Sequence, residues 1–197
     1  MQKRRCVFRD NPDPNDPEFF EKIMVVIQKL GTNGAELVLM SDESSEVTKL
    51  HQSAWQSANE DLQTELTIVR DLLNEVCYAT VSSKQAWVVK EAETAFKENI
   101  DCYTIEELVE TCHGRFYDSR LLIALGLLAR KPDAEIIRTL AEALDHDLPK
   151  TRYCAARAIA FTQWSVFIPD LELMLKMEDD VAAREMGERA LAVCERK

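Results

Sequence analysis

A step of 32 residues constrains this chain more than any other feature. Arg120, Arg152 and Arg184 lie 32 apart, and each opens a run of small and aliphatic residues: "SRLLIALGLLA", "TRYCAARAIA" and "AREMGERALA". Leu127, Ile159 and Leu191 keep the same step, as do Leu128, Ala160 and Ala192. A second set precedes each run. Ile105, Leu108 and Cys112 are followed 32 residues on by Ile137, Leu140 and Leu144, and after a further 31 by Ile168, Leu171 and Leu175. Two amphipathic helices per unit at this period mark stacked helix pairs, none of which can bury its apolar face alone. Leu73 and Val76 stand 32 before Ile105 and Leu108, and Phe96 stands 32 before Leu128, which carries a degenerate unit back to about residue 60.

The rest of the chain also reads as helix. Only 5 glycines and 6 prolines leave few tight turns, an argument against many short strands. Asp16 can cap a helix that begins at Pro17 and carries Phe20, Ile23, Met24, Ile27 and Leu30 on one stripe. Val47, Leu50, His51, Ala54, Trp55 and Ala58 follow helical spacing, and so do Leu62, Leu66, Val69, Leu73 and Val76. A serine cap then opens a helix with Val88, Ala92, Ala95 and Phe96 on its apolar side. No segment alternates as a strand should. The expectation is an all-α chain forming one continuous domain. Residues 1–60 form an arm and an irregular helical cap, and 61–197 a repeat array with units at 60–100, 101–131, 132–165 and 166–197.

First helices ending in "ALDHD" or "MLKMEDD", a short turn, then arginine, small residues and a "RAIA" or "RALA" patch resemble the HEAT-repeat family of armadillo-like α-solenoids. The resemblance implies a short right-handed α-solenoid. It also implies a ladder in which a turn acid meets the arginine of the second helix. It assigns Asp147, five before Arg152, and Asp179, five before Arg184; in the first unit Arg115 stands at that place, with Asp118 beside Arg120. Ala155, Ala156, Ala158 and Gly187 let helices approach closely.

Charge narrows the function. The net charge is −11, and the only basic cluster is "KRRCVFR" at 3–9, read as a solvated arm. Phosphate backbones need a basic stripe, so nucleic acid is not an expected partner. Six cysteines without CxxC spacing read as small buried thiols of a reducing compartment, not a disulfide framework. With no secretory signal and no membrane-length apolar run, the cytoplasm is the expected location and no membrane partner is expected. His51, His113 and His146 form no i, i+4 pair, and Cys102, Cys112 and His113 match no common zinc spacing, so no metal is expected. No phosphate loop, dinucleotide fingerprint or nucleophile elbow is present, and no cofactor is expected.

In a solenoid the second helices line the inner face, where partners commonly lie. The resemblance places Tyr153, Arg157, Trp164, Glu185, Glu188 and Arg189 there. Mixed charge with an aromatic anchor suits protein recognition. The expected function is a non-enzymatic protein-binding module for a basic partner. Size, charge and architecture suggest more specifically an immunity protein that inhibits a bacterial toxin such as a basic nuclease. The alternatives are a HEAT-like enzyme or lyase subunit, for which Cys154 and His146 are the candidate reactive groups, and a regulatory scaffold subunit.

Overall fold

Residues 1–13, 16–112 and 118–196 are described by the computed structural model, and among them sheet and helix alternate before the chain turns wholly helical. It divides into two units, Met1–Tyr103 and Thr104–Lys197.

The first unit runs β1 (Gln2–Phe8), α1 (Pro17–Thr32), β2 (Leu37–Ser45), β3 (Leu50–Ser57), β4 (Glu65–Asp71), β5 (Val76–Ser83) and α2 (Ala86–Asn99). Strands β2 to β5 form an antiparallel meander. β1 pairs with β5 to give the order β1-β5-β4-β3-β2. α1 starts where Asp16 accepts from the Glu18 amide at 3.0 Å and Pro17 fills the first helical position. Its buried stripe is Phe19, Ile23, Val26, Ile27 and Leu30, so Phe19 enters the core and its neighbour Phe20 stays exposed. Both helices share one hydrophobic core with the sheet residues Phe8, Trp55, Leu66, Ile68, Ala79 and Val81. β2 is an edge strand whose register slips between Leu39 and Ser41, a bulge at Met40.

This sheet overturns the all-α solenoid with an irregular helical cap, and with it the assignment to the HEAT-repeat family. Two physical features explain the misreading. The turns use left-handed backbone without glycine: Lys49 has φ 54° in the β2–β3 turn, Gln63 43° in the β3–β4 loop and Glu75 53° in the β4–β5 turn. Side-chain bonds to turn amides support them, with Asp71 accepting from the Leu73 and Asn74 amides, both at 3.1 Å. Polar side chains also occupy buried positions. On β3, His51, Ser53 and Trp55 are buried while Gln52 and Gln56 are exposed, a true two-residue alternation that hydropathy does not display. Residues 60–100, expected to form a degenerate helical unit, hold β4, β5 and α2.

The second unit holds α3 (Ile105–Thr111), α4 (Ser119–Leu128), α5 (Ala134–Leu144), α6 (Pro149–Thr162), α7 (Ile168–Met177) and α8 (Val181–Cys194), with a 3-10 turn at Ser165–Phe167. α6 packs between α4 and α8, while α3, α5 and α7 each pack against the helix that follows. Caps explain the starts. Thr104 and Glu107 form a capping box on α3, and Asp118, Asp133 and Asp180 cap α4, α5 and α8. A close approach occurs at Gly126, where an added Cβ would lie 2.4 Å from the Ala158 carbonyl oxygen, so α4 and α6 meet backbone to backbone there. A Cβ on Gly187 would meet side chains alone, Leu175 at 3.0 Å and the Met174 sulfur at 3.5 Å, which are much softer neighbours.

Candidate functional site

The three repeat arginines begin α4, α6 and α8 but form different bonds. Arg152 donates through Nη1 to the carbonyls of His146 (2.7 Å) and Asp147 (2.9 Å), bracing the turn between α5 and α6. Its Nε and Nη2 also clamp the Glu178 carboxylate at 2.6 and 2.7 Å, a bidentate pair. The Glu178 side chain is fully buried. Hydrogen bonding from Arg152 holds its carboxyl below the usual glutamate value, against the opposing pull of burial. Arg184 donates to the carbonyls of Leu175 (3.2 Å) and Glu178, the latter by a short contact. Arg120 binds the carboxylate of Asp118, the cap of its own helix, at 2.8 Å.

A spacing rule accounts for the difference. Arg152 and Arg184 each reach the carbonyl six residues back, at His146 and Glu178. Arg152 alone also finds an acid 26 residues ahead; the same offset from Arg120 leads to His146. The Asp147 carboxylate is not the group Arg152 engages, since its backbone carbonyl serves instead. The acid at the junction is Glu178, not Asp179. Glu178 stands beside Asp179 in "MEDD", so a search at offset 26 would have found it.

The predicted partner-binding residues fall on α6, α8 and the turn between α6 and α7. Tyr153 and Arg157 are half-buried, with Arg157 Nη1 donating to the Tyr153 hydroxyl at 3.2 Å. One 32-residue step on, Glu185 and Arg189 take the equivalent places and are exposed, as is Glu188; Arg189 and Glu185 approach to 3.9 Å. Trp164 stacks on Phe167 with ring centroids 6.1 Å apart, which turns its ring toward the core of its own unit.

Sequence reasoning missed two further features. The first is a groove of about 590 Å³ between α5 and α7, lined by Leu173, Met174 and Met177 and rimmed by Asp145, Asp147 and Asp170. The second is a polar relay in the sheet unit. His51 stands opposite Ser44 on β2 and Arg70 on β4, with Ser53 opposite Asp42 one row along. His51 Nδ1 lies 2.7 Å from Ser44 Oγ and Nε2 3.0 Å from Asp42 Oδ1, while Ser53 Oγ donates to the same Asp42 oxygen at 2.6 Å. Each of the His51 and Asp42 contacts between strands ties β2 to β3. Arg70 is held in turn by Asp13 at 2.9 Å.

The candidate reactive groups of the helical unit are placed differently. Cys154 is buried among Ala155, Ala156 and Ala158. His146 Nδ1 accepts from the Leu148 amide at 3.1 Å. Burial pushes the Cys77 thiol up to about 12 and that of Cys112 up to about 11. A thiol hydrogen bond to Cys102, then burial, pushes Cys6 up, and the same bond draws Cys102 down. Among the described residues no three His, Cys, Asp or Glu side chains converge on a metal position. His113 and Arg115 lie outside the described residues. No described helix is long and apolar enough to cross a membrane.

Comparison of the chain with protein-family models, curated proteins and solved structures finds no match. The likeness to HEAT repeats therefore has no support from a family model, in addition to being contradicted by the sheet.

Proposed function

We propose that the protein is a non-enzymatic binding module of the cytoplasm whose helical unit recognises a partner protein across α6 and α8. The observation that carries this reading is the correspondence of Tyr153 and Arg157 with Glu185 and Arg189. The two pairs repeat at one step on adjacent helices and present an aromatic and charges of both signs. Interfaces draw anchoring energy from such aromatics and register from such charges. The net charge of −11 favours a basic partner, and a basic nuclease of the kind that immunity proteins neutralise fits that chemistry.

Affinity capture from the native cell, with wild type and with Arg157→Glu/Arg189→Glu as bait, tests the reading. A protein retained by the wild type and lost from the variant, whose helicity is unchanged, identifies the partner. Identical captures move the site off α6 and α8.

A hydrolytic reading is favoured by one observation, the order Ser44, His51, Asp42, which is that of nucleophile, base and orienting acid. Here the acid sits on Nε2 and the serine on Nδ1. Labelling of Ser44 by a fluorophosphonate, abolished in His51→Gln, would assign catalysis to β2 and β3. An unlabelled Ser44 leaves the relay as a tie between strands.

A further inference from the structure

We propose that the groove between α5 and α7 seats a basic amphipathic helix of a partner polypeptide. This is a second docking surface, made by different helices from the α6–α8 face and independent of it. Leu173 is 60% exposed and Met177 77%, one turn apart on α7, with the buried Met174 between them. Apolar side chains at i, i+1 and i+4 form a seam of the kind that receives an incoming helix, and methionine adapts to the shape it meets. The groove volume of about 590 Å³ is in the range of sites that hold ligands.

The rim supplies the sign of the charge. Asp145, Asp147 and Asp170 line the groove, and none of them forms an ion pair within the chain among the described residues. The cation at the groove, Arg152, is occupied by Glu178 and two carbonyls. An apolar floor with unneutralised carboxylates around it is complementary to a helix with leucine-type residues on one face and Lys or Arg flanking them. The same carboxylates repel an anionic lipid surface. A second copy of this chain is a poor occupant. Its net charge is −11, and its basic cluster at 3–9 lies mostly in β1, paired with β5.

The test uses the full chain and a fluorescently labelled peptide with leucine at i, i+3, i+4 and i+7 and lysine elsewhere. Two controls are a scrambled peptide of equal charge and a peptide with glutamate for every lysine. Anisotropy should report saturable binding of the first peptide only. Affinity should fall at least about tenfold in Leu173→Ser/Met177→Ser, and by a similar factor in Asp145→Asn/Asp147→Asn/Asp170→Asn. It should fall again in about 0.5 M salt, where charges are screened. Circular dichroism must show both variants helical. The proposal is overturned if the amphipathic peptide does not bind, if the scrambled peptide binds equally well, or if either folded variant binds like wild type. It is also overturned if the chain dimerises and the Leu173/Met177 substitutions dissolve the dimer, which makes a second copy the occupant.

Discussion

The junctions before α6 and before α8 are built from the same residue at the same step, yet they hold together differently. Arg152 bonds backwards to two carbonyls of its own helix pair and forwards to a buried carboxylate of the next. Arg184 bonds backwards only, from an exposed position. An arginine at a helix start therefore acquires weight from what lies across the junction, not from its place in the repeat. A buried carboxylate with one guanidinium partner makes the first junction fragile to single substitutions; carbonyls that water can also satisfy make the second tolerant.

The largest break should come from Arg152→Ala. It leaves the buried Glu178 charge without its cation, held only by backbone amides such as that of Asp180 at 2.9 Å, and should cost about 3 kcal/mol in denaturant titrations of the helical signal. Adding Glu178→Leu should recover most of that loss, because the orphaned charge is gone. If the double variant is as unstable as the single, the carbonyl bonds carry the junction. Acid should have the same effect as the mutation. The folded-state pKa of Glu178 is lowered, so its contribution is fully present above the ordinary glutamate value of 4.5 and is lost as pH falls through the lower folded value. The wild type should thus lose stability below that value more steeply than Glu178→Gln does.

Gly126→Ala probes a contact that Gly126 makes without a side chain. A methyl group pressed on the Ala158 backbone should force α4 and α6 apart and cost about 2 kcal/mol. Gly187→Ala, facing the Leu175 and Met174 side chains, should cost less; equal losses would show that the α4–α6 contact is not special. Arg184→Ala should cost about 1 kcal/mol. Arg120→Ala should be the mildest, within about 0.5 kcal/mol, since Asp118 keeps its cap bond to the Arg120 amide. A loss there comparable with that of Arg152 would end the comparison.

The helical half was legible because its period is carried by side chains that repeat: arginines in the first turns of α4, α6 and α8, and Leu108, Leu140 and Leu171 at buried positions. Even there the eye rests on Asp147 and Asp179, nearer to the arginines in sequence, while the working acid is Glu178. The sheet half was hidden by compensation. Lysine and glutamate hold turn conformations that glycine usually supplies, and His51 and Ser53 occupy buried places where Val or Ile would have advertised a strand. The α5–α7 groove left no signal of its own, because Leu173 and Met177 look like any apolar helix positions until their exposure is known.

The bulge at Met40 has a consequence for concentrated solutions. β2 leaves one side of its ladder open, and beside it Val38, Leu39 and Met40 face water. A flat strand of that kind is a template on which other chains can stack. The extra residue breaks the even spacing of amides and carbonyls, and Asp42, Glu43 and Glu46 follow it with like charge. Fibril growth from this border is thus discouraged both by geometry and by repulsion, and the greasy tripeptide can be kept at the surface without seeding aggregates.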